Sequence, residues 1–150
     1  MRFVSRLIAS GFGSGFAPVA PGTVGSLVAL AFGALLLIAS GWALPLAIVL
    51  ATLVGLWVIG PAGGADDPGW VTIDEFAGQW IALLPLSAPS PLGLLAAFAL
   101  FRLFDITKPG PVGWADRQHG AAGVMGDDII AGALAGAVLW GFQQSWPGVI

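Results

Sequence analysis

The chain has 150 residues, of which 57% are hydrophobic and only 9% are charged. Soluble globular domains carry about a quarter charged residues, so this composition excludes an ordinary soluble domain and predicts an integral membrane protein. Five Lys and Arg residues cannot make the basic surface that nucleic acid requires, and the net charge of −3 indicates no particular partner. The absence of cysteine excludes thiolate metal sites and cysteine-dependent phosphatases.

The N-terminal segment places Arg2 and Arg6 ahead of apolar residues. A signal peptide has a similar pattern, but three glycines interrupt the apolar stretch. We therefore expect the two arginines to anchor the segment on the cytoplasmic side of a membrane, as the positive-inside rule describes.

A loop rich in glycine, proline and hydroxyl residues follows at residues 11–26, GFGSGFAPVAPGTVGS, and leads into an apolar run with Thr23 or Ser26 as the predicted helix N-cap. Backbone amides in such a loop, together with a helix N-terminus, bind phosphate oxygens without a charged side chain. A bent segment entering the membrane is an equally good interpretation. The phosphate-binding candidates are Gly13, Ser14, Gly22, Thr23 and Ser26.

A long apolar stretch covers residues 7–65, which contain no charged side chain, and a turn near Ser40 divides it. As helices, residues 23–42 and 44–60 would each be about 25 to 30 Å long, which matches the hydrocarbon thickness of a bilayer. The pattern predicts a transmembrane hairpin.

Two shorter helices are predicted after a loop with paired acids. The first covers residues 72–84, with Asp74 and Glu75 in its first turn, and the second covers residues 92–108, before Pro109. They are short for complete spans, so we expect tilted spans or a re-entrant hairpin. Because they are antiparallel, the first turn of one lies at the depth of the last turn of the other.

The last helix is predicted from about Asp127 to Gln144, after a Pro and Gly-rich loop that does not cross the membrane. A charge at the bilayer centre costs about 2.5 to 3.5 kcal/mol, so we place the acids at the cytoplasmic interface. The predicted fold is all-α, a polytopic membrane helical bundle of about four to five membrane helices, some short or re-entrant, forming one domain over residues 1–150.

Five carboxylates come from three predicted helix ends at one depth: Asp74, Glu75, Asp105, Asp127 and Asp128. Clustered carboxylates raise each other's pKa unless a cation neutralises them, and Mg²⁺ prefers carboxylates together with water and a phosphate. The pattern predicts a Mg²⁺ site in which one residue of each adjacent pair is a ligand, because neighbours on a helix point about 100° apart. The alternative is that these acids only stabilise helix N-termini.

Arg102 and Lys108 are the predicted phosphate-binding cations, because Arg binds phosphate through two hydrogen bonds and Lys acts as a point charge. A local ion pair between Arg102 and Asp105, three residues apart, is the alternative. His119 is a candidate for protonating a leaving alkoxide. Asp116 and Arg117 fit a solvated loop pair.

Four blocks of this sequence resemble the phosphatidylglycerophosphatase A family of bacterial lipid phosphatases: GFGSGFAPVAPGTVGSL, DDPGWVTIDEFAGQWIALL, FRLFDITKPGPVGWADR and GVMGDDIIAG. The resemblance implies a Mg²⁺-dependent inner-membrane enzyme that removes the terminal phosphate of phosphatidylglycerophosphate at the cytoplasmic face. By position, the family's acidic motifs fall on Asp67, Asp74, Glu75, Asp105, Asp127 and Asp128, and its basic motifs on Arg102 and Lys108. Ala121 and Ala122 stand where the family usually has paired glycines.

Two mechanisms stay open, with either a water at the metal or a carboxylate, Asp74 or Asp127, as the nucleophile. A rival function is a small membrane cation carrier or channel subunit, because intramembrane carboxylates also bind ions in transit. Such a protein needs acids at mid-depth, whereas residues 25–59 and 129–142 are almost wholly apolar. Lipid is expected to reach the site laterally from the bilayer, and the oligomeric state stays open.

Overall fold

The computed structural model describes residues 2–149, and within them every regular element is helical. This confirms the predicted all-α fold. A short 3₁₀ turn lies at Ser14–Phe16, and the α-helices in chain order are α1 (Arg2–Ala9), α2 (Pro21–Ala39), α3 (Ala43–Ala62), α4 (Ile73–Leu83), α5 (Pro91–Thr107), α6 (Pro111–Asp116) and α7 (Gly120–Ser145).

Three helices are long and apolar enough to cross a membrane. They are α2, α3 and α7, with 19, 20 and 26 residues. Exposed side chains on the first two are large and apolar, such as Leu35, Ile38 and Leu53, which is the surface that a lipid environment favours. The predicted hairpin is therefore present, and the chain has the character of a helical membrane protein.

Helix α4 lies at the centre of the bundle, although it has only 11 residues. At 1.5 Å per residue it is about 16 Å long, too short to cross the hydrocarbon core. It packs against α2, α3, α5 and α7. Nine of its residues are buried, including Asp74, Glu75 and Gln79. The longer helices thus enclose a short helix that carries charged side chains.

Small residues allow α4 and α7 to touch backbone to backbone. A Cβ atom on Gly132 would lie 2.2 Å from the carbonyl oxygen of Gly78, and one on Gly78 would lie 2.5 Å from the carbonyl oxygen of Asp128. Small residues are the usual means of close helix contact in membranes, where lipid competes with any apolar side chain. This crossing sets the distance between the first turn of α4 and the acids of α7.

Two predicted helix starts are wrong. Helix α7 begins at Gly120, so Asp127 and Asp128 lie in its third turn rather than its first. The alternative that these two acids only stabilise the N-terminus of the helix is therefore wrong. No proline interrupts residues 120–126, and their Ala and Met residues allow the helix to begin early. Helix α2 begins at Pro21, a favoured first position, so neither Thr23 nor Ser26 is its N-cap.

Candidate active site

Three helices and one loop bring six carboxylates to a single small cavity of about 160 Å³. The first turn of α4, the last turn of α5, the third turn of α7 and the loop before α4 supply them. They line the cavity together with Gly22 and Lys108: Asp67, Asp74, Glu75, Asp105, Asp127 and Asp128. Both members of each adjacent pair line it, whereas the sequence predicts only one ligand from each pair.

The tightest group within this cavity is Glu75, Asp105 and Asp128, whose side chains are all buried. One carboxylate oxygen from each lies within 4.8 Å of the other two. This spacing could hold a metal ion between three oxygen donors, the ligand type that Mg²⁺ and Ca²⁺ prefer.

Arg102 links α5 to α4 across the site. Its guanidinium lies 2.7 Å from Glu75 Oε2 and 2.6 Å from Asp105 Oδ2, and it donates a longer hydrogen bond of 3.3 Å to Ser26 Oγ. The local ion pair is therefore present, but it is part of a network that crosses to α4. The contact also confirms the prediction that the first turn of α4 and the last turn of α5 lie at one depth.

Lys108 makes the second network, at the C-terminal end of α5. Its ammonium donates a short hydrogen bond to Asp127 and lies 2.9 Å from Asp116 Oδ1 and 3.7 Å from Asp105 Oδ1. Burial lowers the pKa of Lys108, but hydrogen bonds to Asp127 and Asp116 outweigh it, so the pKa lies above its ordinary value. Lys108 is thus a firmly charged cation inside the cluster.

The prediction that Asp116 forms a solvated pair with Arg117 is wrong, because Asp116 pairs with Lys108 instead. Proline and glycine at residues 109–111 turn the chain, and α6 carries Asp116 back over the end of α5. No signal in the sequence shows this contact, because α6 is only six residues long and lies in a segment typical of loops.

Asp67 and Lys108 both have left-handed backbones, with φ of 48° and 46°. A residue with a Cβ atom adopts this backbone conformation at a cost of about 1 to 2 kcal/mol. Such conformations persist only where the surrounding structure determines them, and they are frequent at functional sites. Burial also raises the pKa of Asp67, although Lys108 opposes that change.

The glycine-rich loop divides into two parts with different positions. Ser14 Oγ lies 3.1 Å from Thr72 Oγ1, and neither Gly13 nor Ser14 lines the acidic cavity. The Thr72 amide also donates to Ala9 O at the end of α1, so α1 and this part of the loop together hold the beginning of α4 in place.

The second part of the loop reaches the acids directly. Gly22 lines the cavity, and a Cβ atom there would lie 2.3 Å from Glu75 Oε1. Ser26 is fully buried and donates a hydrogen bond of 2.6 Å to Glu75 Oε2. Thr23 lies between them in α2 but not in the cavity wall.

A larger polar cavity of about 530 Å³ adjoins the acidic one. The two share Asp67 and Asp127 as walls. The remaining polar side chains of the larger cavity are Asp66, Asp116, Arg117, Gln118 and His119. His119 is a predicted proton donor, but nothing in the sequence predicts this cavity.

Comparison with known proteins identifies similar chains. The sequence model of the family described as Phosphatidylglycerophosphatase A matches residues 7–143. The chain is 37% identical over 146 residues to Phosphatidylglycerophosphatase A of Escherichia coli strain K12, covering 95% of this chain and 85% of that protein. It is 39% identical over 143 residues to the Haemophilus influenzae protein of the same name, covering 92% and 88% of the two chains.

A third relative carries a different name. The chain is 42% identical over 147 residues to a provisionally named phosphatidylinositol-3-phosphatase of Bacteroides thetaiotaomicron, covering 89% of each chain. No solved structure matches the chain.

Proposed function

The chain belongs to the phosphatidylglycerophosphatase A family and is a phosphatase that hydrolyses a phosphomonoester, and we propose that its substrate is phosphatidylglycerophosphate. Hydrolysis of the terminal phosphomonoester then yields phosphatidylglycerol and phosphate. The observation that supports this reaction best is the single cavity that six carboxylates and Lys108 line, with Arg102 paired to two of those carboxylates, Glu75 and Asp105. The whole chain would form one membrane-embedded phosphatase domain.

The residues of the cavity fit a divalent cation. Six carboxylates face only two cationic side chains, so the site carries an excess of negative charge that a hard cation would offset. Glu75, Asp105 and Asp128 would hold it, with Asp67, Asp74 and Asp127 as further oxygen donors. When bound, Mg²⁺ would polarise the phosphoryl group and stabilise negative charge in the transition state.

The chain's own side chains would bind and orient the phosphate. Arg102 is held by Glu75 and Asp105 at a fixed place, and Lys108 is held by Asp127 and Asp116, so little side-chain entropy remains to be lost on binding. Because Gly22 has no Cβ atom, the Glu75 carboxylate can lie against α2 beside Arg102. The more remote loop residues, Gly13 and Ser14, would act through the position of α4, and Thr23 through that of α2.

His119 is the proposed proton donor for the leaving alkoxide. It lies in the wall of the larger cavity, which shares Asp67 and Asp127 with the acidic one. An alcohol leaving the acidic cavity would therefore pass into the space that His119 borders. If water is not the nucleophile, Asp74 or Asp127 would take that role.

The proposed location is the bacterial inner membrane, with the site at the cytoplasmic face. Arg6 stacks over the ring of Trp70, 4.8 Å from its centroid, and Ala9 O accepts from the Thr72 amide. Helix α1 and its arginines therefore lie at the same end of the bundle as the acids, and the positive-inside rule favours the cytoplasm for that end. The substrate's acyl chains would stay in the bilayer against the exposed apolar faces.

The cation-carrier alternative has less support. A carrier needs polar side chains along the length of its helices. Here the acids gather at one end, and two cationic side chains already occupy part of the cluster. Two relatives are also named as phosphatases, which are hydrolytic enzymes.

The test is phosphate release from phosphatidylglycerophosphate by the purified protein in detergent, with Mg²⁺, with EDTA and with Ca²⁺. We expect release that requires Mg²⁺ and falls by at least about 10- to 100-fold in Asp74→Asn, Asp127→Asn and Asp128→Asn variants. Thermal unfolding of each variant checks that it folds. A folded wild-type protein that releases no phosphate with Mg²⁺ would refute the proposal.

A further inference from the structure

The larger polar cavity is the feature that the phosphate chemistry leaves unexplained. Its volume of about 530 Å³ far exceeds what a phosphate ion or a metal requires, and its wall mixes acidic, basic and amide side chains. Because Asp67 and Asp127 line both cavities, the two cavities adjoin, and a ligand with its phosphate at the acids would extend into the larger one.

Arg117 is the cation available in this larger cavity. Within residues 2–149, Arg102 and Lys108 are paired with carboxylates, and Arg6 stacks over Phe16 and Trp70. Arg117 lines the cavity and forms no salt bridge with any residue that the structure describes. Its neighbour Asp116 is paired with Lys108 and not with Arg117.

The substrate of the proposed function carries two phosphates joined by a glycerol bridge. The terminal phosphomonoester reacts, whereas the phosphodiester is present in both the substrate and the lipid product. We propose that the larger cavity holds the alcohol side of the lipid head group and that Arg117 binds its phosphodiester. Guanidinium suits this role because it donates two parallel hydrogen bonds to phosphate oxygens. This assignment rests on the proposed function and adds a specificity-determining residue to it.

A contact to the phosphodiester has a distinctive kinetic consequence. The diester is not changed in the reaction, so Arg117 binds substrate, transition state and product lipid equally. Losing it therefore raises KM and weakens product binding while kcat stays the same. Inorganic phosphate, the other product, lacks a diester and binds at the acids, so its affinity does not depend on Arg117.

The experiment compares Arg117→Gln and Arg117→Lys with the wild type, using short-chain phosphatidylglycerophosphate in detergent. The two measured inhibition constants are those of short-chain phosphatidylglycerol and of inorganic phosphate. Arg6→Gln is the matched control, because it removes the same charge from an arginine outside both cavities.

For Arg117→Gln we expect KM and the inhibition constant of phosphatidylglycerol to rise about tenfold, the effect of one charged hydrogen-bonding group. The value of kcat and the inhibition constant of phosphate stay within about twofold of the wild type. Arg117→Lys recovers part of the loss because it restores charge without the paired donors.

Several outcomes overturn the assignment. One is unchanged phosphatidylglycerol inhibition in Arg117→Gln, and another is wild-type enzyme that phosphatidylglycerol does not inhibit. Equal weakening of phosphate and phosphatidylglycerol would make Arg117 a general support of the site. Failure of the proposed function is a separate result, because the wild type would then release no phosphate from phosphatidylglycerophosphate at all.

Discussion

The contact between α4 and α7 predicts that one added methyl group disrupts the active site. In a Gly132→Ala variant the new Cβ atom would lie 2.2 Å from Gly78 O, whereas Cβ atoms keep at least about 3.0 Å from such an atom. The neighbour is backbone, so no side chain can rotate away. The two helices must separate or shift by about 1 Å.

The expected losses of stability and activity in Gly132→Ala follow from the position of this contact. Gly132 lies one turn after Asp128, and Gly78 lies one turn after Glu75, so the separation moves those two carboxylates apart. Overpacking of this kind costs about 1 to 3 kcal/mol of stability. A misplacement of about 1 Å in a catalytic site can cost about 100-fold in rate. We expect kcat/KM for phosphatidylglycerophosphate to fall by roughly this factor and half-maximal activation to need more Mg²⁺.

Gly141→Ala is the matched control on the same helix, because a Cβ atom there meets nothing within 4 Å. It adds the same methyl group and should leave kcat/KM within about twofold of the wild type, with unchanged or slightly higher thermal stability. The assays are phosphate release against Mg²⁺ concentration and thermal unfolding in detergent. A Gly132→Ala variant with wild-type kcat/KM and unfolding temperature would refute the close helix contact as the element that sets the carboxylate spacing.

Two further substitutions distinguish a hydrogen bond within the active site from one that only stabilises the fold. Ser26→Ala removes the 2.6 Å hydrogen bond to Glu75, and since hydrogen bonds to charged groups contribute about 1.5 to 3 kcal/mol we expect at least a tenfold loss of kcat/KM. Ser145→Ala, an exposed serine bonded only within its own helix, is the control, and equal activity of the two variants would contradict this role. Trp80→Phe removes the 2.7 Å hydrogen bond from the indole to Ala29 O and should lower stability by about 1 kcal/mol with kcat unchanged. Trp57→Phe, at a site 73% exposed, provides the comparison, and an identical unfolding temperature for both would count against the buried bond.

The apolar hairpin and the meeting of the acid-bearing ends of α4 and α5 could be predicted from the sequence, because both depend on local properties. An uncharged run of this length has few alternatives to membrane helices. Two helices joined by a short turn must be antiparallel, and the 2.7 Å contact between Arg102 and Glu75 follows from that arrangement. The positions of the charged residues then indicate which helix ends lie together.

Other features depend on tertiary contacts that the sequence does not encode locally. The early start of α7 lies in a Gly and Ala-rich segment that fits a loop as well as a helix. The role of Ser14 depends on Thr72, 58 residues away along the chain. Likewise, the pairing of Lys108 with Asp116 requires the short helix α6 to fold back, which packing rather than composition decides.

The adjacent acids of α7 show how one helix turn can contribute to two cavities. From the sequence, only one of Asp127 and Asp128 is expected to be a metal ligand, because neighbouring helical side chains diverge by about 100°. That divergence places Asp128 beside Glu75 and Asp105, within the group able to hold a metal ion. It also places Asp127 against Lys108, in the wall between the acidic cavity and the larger polar one. The two carboxylates therefore differ in their contacts because they differ in direction. Asp128 would serve the reacting phosphate, and Asp127 would stand where the phosphate meets the alcohol that it leaves.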